Sequence, residues 1–172
     1  MIKYAKIIND KTKACDVALG TDVDFYKSMG MQEMDVEEGY DGQWYLNGYA
    51  PVQPLDELKA QNLEALNAAH EVAEETAHVV SSLGFTVDAN DRANRDIDGI
   101  LKTIGDGTVM FCDYENEFHE LNRAQCETLQ IEIIQNAQAL YAQKWAYRAQ
   151  VEGAESVDEL NAIKFTFSHL SF

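Results

Sequence analysis

The chain has 172 residues, 46% of them hydrophobic and 10% aromatic, enough for a packed core in one ordinary domain or two small ones. Thirty acidic side chains against 13 basic ones leave a net charge of −17. That surface repels nucleic acid and anionic membranes, keeps the protein soluble, and would draw a basic partner. Apolar runs reach only a few residues, too short for a bilayer, and the Lys-containing start MIKYAKIINDKTK lacks the apolar stretch of a signal peptide.

Residues 1–50 read as a small α+β module held by aromatics. Tyr4, Ile7 and Ile8 mark one strand and Ala14 to Leu19 another, with the turn-like Asn9-Asp10-Lys11 between them. Asp22 to Ser28 predicts a short helix ended by Gly30, and Met31 to Val36 a third strand. Gly42 to Tyr49 predicts a hairpin, because Asn47-Gly48 supplies the positive φ values of a tight turn. Residues 51–54 hold both prolines, Pro51 and Pro54, and mark a linker.

Beyond it, Leu55, Leu58, Leu63, Leu66, Ala69, Val72, Ala73, Val79, Val80 and Leu83 recur at spacings of three and four. They predict a helix from about Pro54 to Leu83, with Gly84 as its C′ residue. An insert, residues 84–121, follows. Within it Asp88 caps a helix through Ile97, Ile100, Leu101 and Ile104, and Thr108 to Cys112 with Glu117 to Leu121 make a strand-turn-strand pattern. Asn122 and Gln125 form a capping box for a second long helix, to about Glu152. Gly153 stops it, and Ser156 opens a short last helix. In the tail, Phe165 and Phe167 alternate with polar residues, so it either docks on its own core or adds a strand to a neighbour's sheet. The fold class expected is therefore α+β: a small N-terminal β-rich module (1–50), then a long helical hairpin (55–165) with an inserted helix and β-hairpin, and a C-terminal tail (166–172).

Candidate chemistry is sparse. His70, Glu74 and His78 stand at i, i+4 and i+8, so a helix through them would put a metal pair on one face. The motif is not HExxH and lacks a third ligand, so a solvated polar face is the simpler reading. Asp88 to Asp98 is rich in acids, but Ala93 and Gly99 fall where a calcium loop needs Gly and Glu. Cys112 and His119 bracket the predicted hairpin turn without an orienting group or oxyanion hole. Three cysteines, Cys15, Cys112 and Cys126, without metal spacing suit free thiols in a reducing compartment. No P-loop, dinucleotide fingerprint or nucleophile elbow is present. Neither catalytic, cofactor nor metal residues are assigned, and the expectation is a protein without enzymatic activity.

Three stretches carry a family resemblance: GFTVDANDRANRDIDGIL with Asp91 to Asn94 at its helix start, Phe118-His119-Glu120-Leu121-Asn122 leading into the long helix, and EGAESVDELNAI. Together they resemble a domain of unknown function found at the C-terminal end of tail-fibre, baseplate and tail-assembly proteins of bacteriophages and prophages, over about residues 55–165. EMDVEEGYDGQWYLNGYAP is similar to the leading module of such chains. The resemblance implies a virion-tail protein made in the bacterial cytoplasm, with other tail, baseplate or fibre proteins as partners and no nucleic-acid or membrane partner. A tail-fibre assembly chaperone is the alternative it implies. By analogy with fibre symmetry the chain is expected to form a homo-oligomer, a trimer first. Interfaces are expected at Trp44, Tyr45 and Tyr49, at Ile133 on the long helix, and at Phe165, Phe167 and Phe172 in the tail.

Overall fold

The structure, a computed structural model, describes residues 1–172 and is α+β, as expected. The chain divides into two compact units, Met1–Pro54 and Leu55–Phe172.

In the first unit β1 (Ile2–Asn9) and β2 (Ala14–Val17) form the expected hairpin, with Ala5 opposite Val17 and Ile7 opposite Cys15. The Asn9 side chain shapes its turn by accepting from the Lys11 and Thr12 N–H groups. The short helix α1 (Val23–Ser28) is capped by Asp22, which accepts from Phe25 N–H. β3 (Gln32–Glu38) and β4 (Trp44–Leu46) complete a closed barrel in the order β1-β2-β4-β3. The expected hairpin around Asn47-Gly48 is absent. Gly48 does take positive φ there, but Trp44–Leu46 pairs backwards, with β2 on one side and β3 on the other. The tight turn that matters lies at Gly39–Gln43, where Gly39 N–H donates to the Gln43 carbonyl. Ala5, Cys15, Val17 and Val36 fill the barrel.

The second unit is organised by α2 (Leu55–Glu75) and α4 (Arg123–Gly153). They run antiparallel: Lys59, near the start of α2, donates to the Glu152 carbonyl at the end of α4. At 31 residues, α4 is about 46 Å long. Its start is the expected capping box, Asn122 with Gln125. The first helix, however, ends at Glu75 and not near Leu83. Thr76 closes it by donating from its hydroxyl to the Val72 carbonyl. The chain then turns into β5 (His78–Val80), paired with β6 (Thr86–Asp88). A β-branched run prefers the pleated conformation, and Val79 opposite Val87 buries both side chains completely. Gly84, at φ +93°, serves the turn between these strands rather than a helix end.

The helix α3 (Asp91–Thr103) is capped by Asn90, not by Asp88, which remains the last residue of β6. Arg123 satisfies the far end by donating to the Leu101 and Gly105 carbonyls. β7 (Thr108–Cys112) and β8 (Phe118–Asn122) form the expected hairpin, with Asn116 in the left-handed region at its tip. α5 (Val157–Ala162) follows, capped by Ser156. The main core holds Val79, Val87, Ile97, Leu121, Leu129 and Ile133, and a smaller one gathers Val151, Leu160, Leu55 and Phe165. No helix is long and apolar enough to cross a membrane.

Candidate functional site

Two buried carboxylates of the second unit, Glu132 and Asp113, hold its turns. Glu132, on the core face of α4, accepts from the hydroxyls of Ser81 and Ser82 and from the Ser82 N–H at 3.0 Å. One carboxylate thus fixes the β5–β6 turn. Asp113, also buried, accepts from the Glu117 N–H and pairs with His119 Nε2 at 2.8 Å. These contacts hold its carboxyl below the usual carboxylate range, the His119 bond being the largest cause. His119 stacks on Phe85 with ring centroids 3.9 Å apart. That imidazole is bound to a carboxylate on its own hairpin, and Cys112 donates to the neighbouring Asp113 carbonyl. The two do not form a nucleophile–base pair.

Of the three metal-spaced residues, the fold keeps His70 and Glu74 together and separates His78 from them. His70 is buried on α2, with Nδ1 3.1 Å from Glu74 Oε2 and its ring edge-on to Tyr141 and Phe167. Burial lowers its pKa. His78 lies on β5, beyond the end of α2, with its ring between Tyr114 and His169. Nowhere do three His, Cys, Asp or Glu side chains converge as a metal site would need.

The C-terminal tail docks on its own unit. Gln143 on α4 clasps Ser168 at both backbone groups, donating to its carbonyl and accepting from its N–H, each at 2.8 Å. Tyr147 holds Thr166 similarly. Asn136 accepts from Leu170 N–H, and Ser171 bridges to Val80. Phe165 and Phe167 pack against the cores, while Phe172 stays 46% exposed. Other expected interface residues separate in the same way. Tyr49 is exposed. Trp44 is half-buried beneath the Lys3 ammonium. Tyr45 is buried, its hydroxyl donating to Asp41 at 2.6 Å. Ile133 is 1% exposed. It belongs to the core because it shares the inward face of α4 with Leu129 and Leu140.

This unit has a cleft of about 770 Å³ between the end of α2, the start of α3 and the middle of α4. This is the size range of ligand and peptide sites. Ile134, Ala137 and Tyr141 of α4 line its apolar floor, and Ile134 and Tyr141 are 39% and 53% exposed. Glu71, Glu74 and Glu75 form one wall; Asp91, Arg92 and Arg95 form the other. Asn94 borders it, and its side-chain oxygen, shielded from water, has no hydrogen-bond partner. Hydrophobic periodicity does not reveal this cleft. One signal was available: Ile133 and Ile134 are adjacent, so α4 must carry apolar side chains on more than one face.

A family model described as "Domain of unknown function (DUF4376)" matches residues 57–166. The chain belongs to this family. No curated protein and no solved structure matches it. The DUF4376 region contains every residue of the cleft, together with the Glu132 and Asp113 clamps and the docked stretch through Thr166. The barrel lies outside it.

Proposed function

We propose that this DUF4376 protein is a non-enzymatic structural protein of a bacteriophage tail, sitting at the baseplate or tail-fibre attachment point and acting in tail assembly and host attachment. The sequence resemblance described above supports the context. The exposed apolar floor of the cleft supports the mode of action and carries the reading. Ile134 and Tyr141 are open there, whereas the buried carboxylates Glu132 and Asp113 brace turns. Such a surface suits docking better than bond-making.

In this reading the α2–α4 helical hairpin is the scaffold, with α3 and the two ribbons as its insert. Trp44 and Tyr49 meet one partner and Phe172 another. Fibre symmetry favours a trimer. Mass spectrometry of purified phage particles, with copy number measured against the tail-tube protein, tests it. A small, symmetry-related copy number is the expected outcome, and absence from particles overturns it. Such absence, with expression in infected cells, selects the tail-fibre assembly chaperone. The charge of −17 favours this second reading, because an acidic shell keeps a sticky client soluble.

A further inference from the structure

The cleft between α2, α3 and α4 has a charge pattern as well as an apolar floor. Glu71, Glu74, Glu75 and Asp91 set four carboxylates on its walls against the two guanidiniums of Arg92 and Arg95. Arg92 is further offset by Asp96, 3.8 Å away. The polar group at its border without a partner, Asn94 Oδ1, is a hydrogen-bond acceptor. On the α2 wall Glu71 and Glu75 have no ion-pair partner and Glu74 meets only His70, so that rim asks for a donor or a cation. The floor asks for apolar side chains, and a protein of net charge −17 steers cations toward it.

We propose that this cleft is a docking groove for a basic amphipathic helix of a partner protein. The apolar face of that helix would lie on Ile134, Ala137 and Tyr141. Its Lys or Arg side chains would meet the Glu71–Glu75 edge of α2. Helix-in-groove binding needs this combination, an apolar trough with complementary charge along one rim. A second copy of this chain is a poor occupant, since two surfaces of this acidity repel each other at short range.

The inference rests on the structural-protein reading and deepens it by giving the chemistry of one partner, and it is tested separately. Particle mass spectrometry reports where the protein resides, whereas binding to the purified full chain reports what the cleft takes. The probe is a fluorescein-labelled Leu/Lys peptide, patterned as an amphipathic helix about five turns long, with a Leu/Glu peptide of the same pattern as its counterpart. Fluorescence anisotropy is read at physiological ionic strength, where remote charge is screened.

Ala137→Trp fills the exposed floor, and Glu71→Lys with Glu75→Lys reverses the rim. Glu57→Lys with Glu64→Lys makes the same charge change elsewhere on α2, outside the cleft. The Leu/Lys peptide is expected to bind and the Leu/Glu peptide to fail. Each cleft variant should weaken binding at least about tenfold, and the control pair less than about twofold. Circular dichroism verifies the fold, and the rim variant keeps the test decisive if Ala137→Trp misfolds. Equal losses in the rim and control pairs would mean bulk charge alone and would overturn the proposal, as would no binding by wild type. Self-association abolished by Ala137→Trp would give the groove to a second copy and overturn it too.

Discussion

The fully buried side-chain oxygen of Asn136 accepts the Leu170 N–H at 2.8 Å, joining the middle of α4 to the C-terminal tail. No other polar group from the helix core reaches the tail at this depth, and the partner is backbone, so its removal leaves a shielded N–H unmatched. Asn136→Leu should destabilise the tail by about 1–3 kcal/mol. Limited trypsin digestion, read by mass spectrometry at Lys164, is expected to cut the variant faster than wild type. Equal rates would mean that Gln143 and Tyr147 suffice to hold the tail.

Glu132 joins α4 to the β5–β6 turn through three hydrogen bonds. Glu132→Ala strands the buried Ser81 hydroxyl and opens a void in the core, for an expected loss of about 2–4 kcal/mol. Glu132→Gln preserves volume and one acceptor, and should lose about 1 kcal/mol. Chemical denaturation of both variants measures the difference.

Stability should fall on mild acidification. Burial lowers the pKa of His70, against a smaller opposing pull from Glu74. Burial and then the neighbouring His78 lower that of His169. Both rings are therefore held neutral in the fold, while the unfolded chain protonates them near pH 6.5. Below that pH the unfolded state binds more protons, so their contribution is complete above about pH 6.5 and is lost as the pH falls toward the lowered folded values. The Tm should drop between about pH 6.5 and 5. Replacing both histidines with Gln should flatten that slope, which differential scanning calorimetry can follow.

Ile133→Asp places a carboxylate in the apolar cluster of Leu129, Leu140 and Val79. The expected loss is about 3–5 kcal/mol, a large share of an ordinary domain's stability. Circular dichroism should show lost helix in this variant. A well-folded variant that only changes its sedimentation coefficient would instead put Ile133 on a subunit interface.

In the first unit, a Cβ on Gly39 would come within 2.7 Å of both Tyr45 Cε2 and Asp41 Oδ1. Gly39→Ala should therefore destabilise the barrel by about 1–3 kcal/mol. Tyr45→Phe, which removes the 2.6 Å bond to Asp41, should lose about 1 kcal/mol. Thermal melts monitored by tryptophan fluorescence compare the two.

Local signals were the legible ones. Asn122 with Gln125, and Ser156, each cap the helix they foretell, because a cap depends on residues within one turn. The β1–β2 and β7–β8 hairpins follow from alternation around turn residues. The end of α2 was misread because Val79, Val80 and Leu83 keep helical spacing by chance, while the pairing that makes Val79 a strand residue comes from Val87 across a turn. At Asn47-Gly48 the local turn signal points the wrong way along the chain: Trp44–Leu46 pairs back with β3 across the Gly39–Gln43 turn and with the more distant β2. The cleft needed three elements to be placed before it existed at all, so no stretch of sequence announces it. What could be read was the acidity of its α2 wall.

The closure of the first unit's sheet has a consequence for the behaviour of the protein under stress. In the ring β1-β2-β4-β3 every strand has a neighbour on each side, so no unpaired row of backbone groups is offered to another chain. The β7–β8 ribbon of the second unit has two strands only, with Met110 and Phe118 exposed on it. Strand-to-strand aggregation therefore has a starting template in the second unit and none in the intact barrel. While the barrel stays intact, aggregation of this kind is expected to start in the DUF4376 region.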